Sequence, residues 1–445
     1  MAKLFGTDGV RGRANCYPMT PDVMTKLAIA TARHLKRKDH RHLVVMGKDT
    51  RLSGYMIEPA LTAGFISMGL DVMLLGPVPT PAVSMLVPSL RADIGVMISA
   101  SHNPHADNGI KMFDATGKKI SLEDESAIES LMDEPFHNAL PDASHLGKAR
   151  RLDDALGRYI EAVKRTFPDD LRLEGLRIVV DCANGAAYRV APAVFWELGA
   201  EVIPVGITPN GFNINQNVGA TATRTMQDTV VQTRADLGIS LDGDADRLMM
   251  ADEKGNLIDG DQLLGLIASS WQREGRLTSP QVVGTVMANL GLERYLEKQG
   301  LSLLRAPVGD KYVAAWMEER GANLGGEQSG HIILSDYAHT GDGIIAALQV
   351  LAVLCRTKSP LSQVAHVFDP VPQVLRNVPL LDRQILDHQS IKDAVKDAEA
   401  RLEGKGHLLV RPSGTEPLVR IMGQADDKGL LDEVIGALTK KFEAP

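Results

Sequence analysis

Three aspartates at alternating positions are the part of the chain that most clearly indicates metal chemistry. Asp242, Asp244 and Asp246 lie in LDGDADR, residues 241–247. On an extended strand alternate side chains share one face, and three carboxylates there repel one another unless a cation lies between them. Oxygen ligands without histidine or cysteine favour Mg²⁺, or Mn²⁺, over zinc. Arg247 could bind an anion beside that metal, and it occupies a position where an EF-hand requires glycine, which argues against a calcium loop of that type.

The segment SASHNPHADNGIKMF, residues 99–113, presents a serine at the mouth of a strand. Ser101 follows the apolar run GVMIS, and Pro104 keeps the turn out of a helical conformation. Such a serine could act as a nucleophile or as a phosphate carrier, and His102 or Lys111 could supply protons or charge. The segment lacks the G-x-S-x-G turn of hydrolases, which argues against a protease-like serine. The plain alternative is a serine that only caps a turn.

The loop GEQSGH, residues 326–331, has side chains suited to a sugar. Glu327 and Ser329 could bind hydroxyl or amino groups, and His331 could move a proton. Alone, the loop could equally be an ordinary polar turn.

The loop RPSGTEPLVR, residues 411–420, is typical of a phosphate-binding site. Glycine lets backbone N–H groups approach an anion, while hydroxyl and guanidinium groups complete the shell. The candidates in it are Arg411, Ser413, Gly414, Thr415 and Arg420. FGTDGVRG, residues 5–12, adds Thr7, Asp8 and Arg11, as a second phosphate contact or as a structured turn.

Elements that the sequence repeats three times must position these loops. Predicted strands begin near Leu43, Ile178 and Val282, and each is followed by a helical segment ending at glycine and by a second apolar run. The related phrases ADIG, ADLG and ANLG then lead into the serine, aspartate and GEQSGH loops. Such strand–helix–strand units imply right-handed crossovers and mainly parallel sheets. Because ligand sites lie where parallel strands end, we expect the loops to line one cleft.

The repeat divides the chain into four parts around that cleft. We predict three related α/β domains with mainly parallel sheets, followed by a smaller α+β domain. The predicted limits are 1–150 with the serine loop, 151–254 with the aspartate loop, 255–370 with the GEQSGH loop, and 371–445 with the phosphate loop. The Pro-containing stretch 368–379 is typical of a linker. The longest apolar run, residues 343–355, is too short to span a membrane, so we expect a buried helix there.

The composition excludes several classes of protein. The chain of 445 residues is 44% hydrophobic and 23% charged, as globular proteins are, which argues against disorder. Its formal net charge of −8 and its 4% aromatic content argue against nucleic-acid binding. Scattered cysteines fit a reducing compartment, and the start MAKLFGTDGVRG lacks the apolar core of a signal peptide. We therefore expect a cytoplasmic protein that binds neither nucleic acid nor membrane.

The serine, aspartate, GEQSGH and phosphate loops follow one another in this order along the chain. Together they resemble the loops of the α-D-phosphohexomutase family. The resemblance implies a heart-shaped molecule with three α/β domains and a C-terminal domain similar to the TATA-binding protein. It also implies that Ser101 is phosphorylated and that one Mg²⁺ per chain is bound by Ser101, through its phosphate, and by Asp242, Asp244 and Asp246. FGTDGVRG and GEQSGH are most similar to the loops of members that act on glucosamine phosphates.

The implied reaction interconverts glucosamine 6-phosphate and glucosamine 1-phosphate through glucosamine 1,6-bisphosphate, for UDP-N-acetylglucosamine synthesis. Arg247 and Lys111 would offset charge on the transferred phosphoryl group, while Lys111, His102 and His331 are unranked candidates for the general acid or base. A mutase for glucose or mannose phosphates, a sugar-phosphate hydrolase and a non-catalytic sensor are the alternatives. The expected partner is a small phosphosugar, and a homodimer is left open.

Overall fold

The computed structural model describes residues 4–6, 8–36, 40–379, 388–412 and 418–443. These residues form four β-sheets that follow one another along the chain, each packed against helices. The first three sheets share one arrangement of strands, and the fourth is smaller and different. The three α/β domains and the C-terminal α+β domain predicted from the sequence are therefore confirmed.

The first sheet has seven strands and lies in the domain that holds the serine loop. Its strands are β1 Phe5–Gly6, β2 Gly9–Arg13, β3 Leu43–Lys48, β4 Asp71–Pro77, β5 Ile94–Ile98, β6 Asp107–Phe113 and β7 Ala149–Arg151. Its helices are α1 Pro21–Leu35, α2 Gly54–Ser67, α3 Thr80–Ser89 and α4 Leu122–Met132. In the order β1–β2–β6–β5–β3–β4–β7, strands β5, β3, β4 and β7 pair in parallel, and β6, β2 and β1 form an antiparallel edge.

The second sheet has five strands in the order β12–β11–β10–β8–β9, where β10, β8 and β9 are parallel. The strands are β8 Arg177–Asp181, β9 Glu201–Val205, β10 Leu237–Leu241, β11 Leu248–Asp252 and β12 Leu257–Ile258. The helices are α5 Ala155–Lys164, α6 Val190–Glu197 and α7 Arg224–Thr233.

The third sheet has four strands in the order β14–β13–β15–β16, where β14, β13 and β15 are parallel. The strands are β13 Gln281–Thr285, β14 Ser302–Ala306, β15 Leu324–Gly326 and β16 Ile332–Leu334. The helices are α8 Gly260–Arg273, α9 Leu290–Lys298, α10 Asp310–Arg320, α11 Gly343–Thr357 and α12 Leu361–Val364.

The three sheets repeat one unit in space. In each, the first strand of the repeat lies between the second and the third, as β4–β3–β5, β9–β8–β10 and β14–β13–β15, and the next strand along the chain pairs antiparallel with the third. The serine, aspartate and GEQSGH loops each connect these last two strands. The three loops therefore occupy equivalent positions at the carboxyl ends of parallel strands, as the repeat predicts.

The fourth sheet is antiparallel, in the order β17–β19–β18. Its strands are β17 Gln373–Pro379, β18 Gly406–Pro412 and β19 Leu418–Ala425, and its helices are α13 Gln389–Leu402 and α14 Lys428–Glu443. The linker prediction for 368–379 is wrong in its second half, because β17 pairs with β19 along its whole length. Proline is tolerated at the end of such an edge strand, so Pro379 marks a limit of the strand and not a linker.

Packing separates the fourth domain from the other three. One hydrophobic core joins the first three domains and includes Phe113, Val180 and Leu351. The fourth domain has a core of its own, which includes Ile421 and Leu438. The apolar run predicted as a buried helix is α11, which is buried on all sides along most of its length. Within the part of the chain that the structure describes, no helix is long and apolar enough to cross a membrane.

Candidate active site

Ser101 lies just beyond β5 in a strained and buried turn. Its φ is +51°, in the left-handed region that non-glycine residues seldom adopt, and its side chain is 1% exposed. Its N–H donates to Ser99 Oγ at 2.9 Å, and its Oγ–H donates to the Asp242 carboxylate. His102 Nδ1 is 3.2 Å from the same Oγ. The serine is thus fixed in place and directed at the aspartate loop.

The three aspartates converge through a turn and not along a strand. Strand β10 ends at Leu241, and the segment up to Arg247 has turn geometry, with Ala245 in the left-handed region at φ +60°. The expectation that the carboxylates share one face of an extended strand is therefore wrong. The turn nevertheless brings one carboxylate oxygen from each of Asp242, Asp244 and Asp246 within 4.8 Å of one another.

The aspartate cluster fits a hard divalent cation. Asp244 Oδ1 and Asp246 Oδ1 are buried and accept no hydrogen bond. Burial, together with the charges of Asp246 and Asp244, raises the pKa of Asp242 to about 8. Unsatisfied oxygen acceptors and mutual repulsion are what a cation would relieve, and an all-oxygen donor set suits Mg²⁺. The residues present therefore fit the magnesium ion that the sequence predicts.

Lys111, on β6, crosses to this cluster from the first domain. Its Nζ lies 2.8 Å from Asp244 Oδ2 and 2.7 Å from Asp246 Oδ2. Burial alone would lower the pKa of Lys111, but the neighbouring carboxylates outweigh burial and hold it well above its ordinary value. Lys111 is therefore a fixed cation at the point where the serine and aspartate loops meet.

Lys111 also belongs to a closed ring of alternating acidic and basic side chains drawn from three domains. The six members in order are Asp8, Lys119, Asp310, His331, Asp246 and Lys111, which returns to Asp8. His331 Nε2 is 3.4 Å from Asp310 Oδ2, and its Nδ1 is 3.7 Å from Asp246 Oδ1. Burial lowers the pKa of His331, but Asp246 and Asp310 outweigh it and raise the pKa overall. The ring holds His331 beside the aspartate loop.

Two members of this ring, Lys119 and Asp310, were not identified as site residues from the sequence. Lys119 lies outside every motif. Asp310 is the first residue of α10, which follows β14 after a short connection. That position, at the carboxyl end of a strand, was the signal that could have identified Asp310.

Two arginines and His102 surround the serine. Arg11 Nη1 donates to Ala100 O at 3.1 Å, and the Arg247 N–H donates to Asp242 Oδ1 at 3.2 Å. The Nε of Arg247 is buried without an acceptor. Burial, Arg247 and Arg11 lower the pKa of His102 to about 4, so this imidazole is neutral near neutral pH. Arg11 therefore lies beside Ser101.

The GEQSGH loop faces the same cleft from the third domain. Glu327 accepts from the Gly309 N–H at 3.0 Å and from Ser329 Oγ at 3.2 Å, so its carboxylate is fixed. Its negative charge raises the pKa of Arg247 and counteracts the lowering of the pKa of Arg411 in the fourth domain. Glu327 is therefore near enough to act electrostatically on arginines of two domains.

Arg411 and Arg420 stand directly opposite each other on β18 and β19. Burial and the charge of Arg420 lower the pKa of Arg411. Two guanidinium groups this close create a positive site suited to a dianionic phosphate. Four of the predicted binding residues lie outside the described residues: Thr7, Ser413, Gly414 and Thr415.

Comparison with known proteins agrees with this arrangement. Models of the four domains of phosphoglucomutase/phosphomannomutase match in order: α/β/α domain I at residues 2–138, domain II at 157–255, domain III at 259–371 and the C-terminal domain at 375–441. The phosphoglucosamine mutase of Rhodospirillum rubrum is 58% identical over 450 residues, covering 100% of this chain and 99% of its own. That of Paramagnetospirillum magneticum is 57% identical over 441 residues, covering 98% of each.

Solved structures show the same fold. A phosphoglucomutase/phosphomannomutase family protein of Burkholderia thailandensis superposes with a TM-score of 0.82 at 24% identity, covering 99% of this chain and 97% of its own. N-acetylphosphoglucosamine mutase of Aspergillus fumigatus, in complex with GlcNAc-6P and magnesium, gives a TM-score of 0.68 at 19% identity. The match covers 98% of this chain and 95% of that one. At these identities the likeness concerns the fold alone.

Proposed function

The chain belongs to the phosphoglucomutase/phosphomannomutase family, and we propose on that basis that it is a phosphoglucosamine mutase, which interconverts glucosamine 6-phosphate and glucosamine 1-phosphate. The observation that carries this proposal is the buried meeting of Ser101 with Asp242, in a carboxylate cluster that fits Mg²⁺. Relatives of that name match the chain along nearly their whole length, which supports the choice of sugar. The product would enter amino-sugar nucleotide synthesis.

Asp242, Asp244 and Asp246, with a phosphate on Ser101, would hold one Mg²⁺ per chain. When bound, this ion neutralises negative charge on the transferred phosphoryl oxygens. Lys111 adds a second buried positive charge at the same place, since its ammonium contacts two of the three carboxylates. Preformed charge of this kind supplies much of the catalysis of phosphoryl transfer.

In the first half of the reaction, phosphorylated Ser101 gives its phosphoryl group to the free hydroxyl of the hexosamine monophosphate. The bond from phosphorus to Ser101 Oγ breaks as a bond to the sugar oxygen forms, which yields the 1,6-bisphosphate. The sequence offers Lys111, His102 and His331 as candidates for receiving the hydroxyl proton, but Lys111 already carries its proton because its pKa is held well above the ordinary value. Among them, the lowered pKa favours neutral His102 as the acceptor.

In the second half, the bisphosphate turns over and its other phosphoryl group returns to Ser101 Oγ. Arg411 and Arg420 would hold whichever phosphate does not react, so they must recognise phosphate in two orientations of the sugar. Glu327 and Ser329 would bind the sugar's polar groups in both orientations, since the Glu327 carboxylate acts electrostatically on both Arg247 and Arg411. Ser413, Gly414, Thr415, Thr7 and Arg11 are the further phosphate contacts proposed from the sequence.

A comparison of substrates tests this proposal. We expect kcat/KM to be far higher for glucosamine 6-phosphate than for glucose 6-phosphate or mannose 6-phosphate, with Mg²⁺ and a trace of the matching 1,6-bisphosphate present. The 1-phosphate product and free phosphate are measured together. Comparable rates on glucose or mannose phosphate would reassign the sugar, and stoichiometric free phosphate would show a hydrolase instead.

A further inference from the structure

Two side chains from different domains bind the same two backbone carbonyl groups of the serine loop. Arg51 Nη2 donates to Ser101 O at 3.1 Å and to Asn103 O at 2.6 Å. Asn215 Nδ2 donates to the same two oxygens, at 2.9 Å and 3.1 Å. The carbonyl of the nucleophile itself therefore receives two hydrogen bonds through side chains that make no contact with its Oγ. We call this arrangement the carbonyl clamp.

The carbonyl clamp binds a turn whose backbone conformation is unfavourable. Ser101 adopts a left-handed conformation at φ +51°, which is unfavourable for a residue with a Cβ. A third wall comes from the aspartate loop, since a Cβ added at Gly243 would lie 2.5 Å from Ser101 O. The carbonyl of Ser101 is thus enclosed by Arg51, Asn215 and the backbone of Gly243. Surroundings that determine a strained turn so fully are typical of functional sites.

The clamp also joins the first domain to the second. Arg51 lies between β3 and α2, and its chain neighbours reach the second domain, where Thr50 Oγ1 donates to Asn184 O at 2.6 Å and the Leu52 N–H to Gly211 O at 3.1 Å. Asn215 lies in the long connection between β9 and α7. The relative position of the serine and aspartate loops therefore depends on this contact.

The clamp adds no net charge to the site. Arg51 is fully buried and paired with the buried carboxylate of Asp49, which also accepts from the Arg51 backbone N–H at 2.9 Å. Asn215 is a neutral amide. A change at Asn215 consequently alters how the serine is held without removing a charge that could stabilise a phosphoryl group.

We propose that Arg51 and Asn215 are positioning residues that orient Ser101 for phosphoryl transfer to the sugar in preference to water. The inference rests on the proposed function, because it requires Ser101 to carry the phosphoryl group. Transfer needs the phosphorus, the serine oxygen and the sugar oxygen nearly in line. A displacement of about 1 Å can cost about 100-fold in rate, so a loosened turn should lower transfer much more than binding.

Asn215→Asp is the most direct test, because it replaces Nδ2, which donates both hydrogen bonds, by one oxygen that faces two carbonyl oxygens. We expect kcat to fall about 100-fold with little change in KM. We also expect the phosphorylated variant to lose a larger share of its phosphate to water, measured as free phosphate per turnover. Arg51→Lys keeps the positive charge beside Asp49 but loses the branched guanidinium group. It should therefore lower kcat, and increase the loss of phosphate to water, less than Asn215→Asp does.

Asn213→Asp is the matched control, from the same connection of the second domain. Asn213 Nδ2 donates to Thr208 O at 3.0 Å, within that connection, and its side chain does not bind the serine loop. We expect it to retain nearly normal kcat and an unchanged partition between sugar and water. If Asn215→Asp does not fold, Arg51→Lys and Asn215→Ala supply the same readouts.

The outcomes separate this inference from the proposed function. Intact-mass measurement after incubation with glucosamine 1,6-bisphosphate shows whether Ser101 is phosphorylated, with Ser101→Ala as the blank. A wild-type enzyme that never carries phosphate on Ser101 would overturn both. A phosphorylated Asn215→Asp enzyme with normal kcat and normal partition, or with losses equal to those of Asn213→Asp, would overturn the carbonyl clamp alone.

Discussion

The serine end of the cleft and the arginine pair of the fourth domain differ in how their charges are balanced. At the serine end, Lys111 lies between carboxylates of two domains, and it belongs to the closed ring of six alternating acidic and basic side chains. On the fourth domain, Arg411 and Arg420 face each other, and the Nε of Arg411 is buried without an acceptor. The serine end thus consists of acidic and basic side chains paired with one another, whereas the fourth domain places two arginines opposite each other on neighbouring strands.

The serine end and the arginine pair also differ in the hydrophobic cores that hold them. The first three domains share one hydrophobic core, so the loops that meet at Ser101 are held by a common scaffold. The fourth domain keeps a separate core and contacts the third through Gln424, which accepts from the Leu290 N–H at 2.7 Å and donates to Ala288 O at 3.1 Å. In the proposed function, the shared core would hold the loops where bonds are made and broken, and the separately packed domain would bind the phosphate that does not react.

The largest expected effect concerns the serine end. Asp244→Asn should lower kcat about 1000-fold, because it removes one charged oxygen from the site that fits Mg²⁺ and one partner of Lys111. Steady-state rates over a Mg²⁺ titration measure this. Asp261→Asn is the control, since Asp261 is equally buried but lies outside the cluster and its pKa is already raised to about 8. Equal losses in both variants would refute a special role for the aspartate loop.

A smaller effect is expected at the phosphate end. Arg420→Ala should raise KM about 10- to 100-fold, the loss expected for charged hydrogen bonds to phosphate, while kcat changes less. Arg401→Ala is the control on the same domain, because Arg401 pairs with the exposed Glu433 at its surface. If Arg420→Ala lowered kcat and left KM alone, the division of labour between the two ends would be wrong.

Affinity for Mg²⁺ should depend on pH at the serine end. The pKa of Asp242 is raised to about 8, so below that pH the unphosphorylated protein holds a proton that the metal must displace. Affinity should therefore fall as pH falls, by up to about tenfold for each pH unit below 8, and level off above it. Calorimetry in two buffers of different ionisation enthalpy measures the released proton. An affinity for Mg²⁺ that is the same below pH 8 as above it would show that Asp242 is not a ligand.

The smallest effect is expected from the ion pair that joins the first domain to the third. Asp310→Asn and Lys119→Met should each lower kcat about tenfold or less, because Asp8 still contacts Lys111 in both variants. Since the two residues act through one contact, the double variant should lose little more than either single variant. Fully additive losses would mean that Lys119 and Asp310 work independently and that the ring is not a unit.

The sequence allowed the three-fold repeat, the equivalent positions of the three loops and the cluster of Ser101 with three aspartates to be predicted. Each of these depends on local patterns, such as strands ending in polar loops. Lys119, Asp310 and the pair of Arg51 and Asn215 were not predicted, because their roles come from packing between domains far apart in the chain. The convergence of the aspartates was expected for the wrong reason, since a turn at Ala245 and not a strand produces it.

The most direct test of the central claim follows a radiolabelled phosphoryl group through Ser101. Labelled glucosamine 1,6-bisphosphate is mixed with the unphosphorylated enzyme, the protein is analysed by peptide mapping, and unlabelled glucosamine 6-phosphate is then added. Our account predicts label on Ser101 at the first stage and its transfer to the sugar at the second, with none on the Ser101→Ala variant. Turnover by an enzyme whose Ser101 never carries label would contradict it.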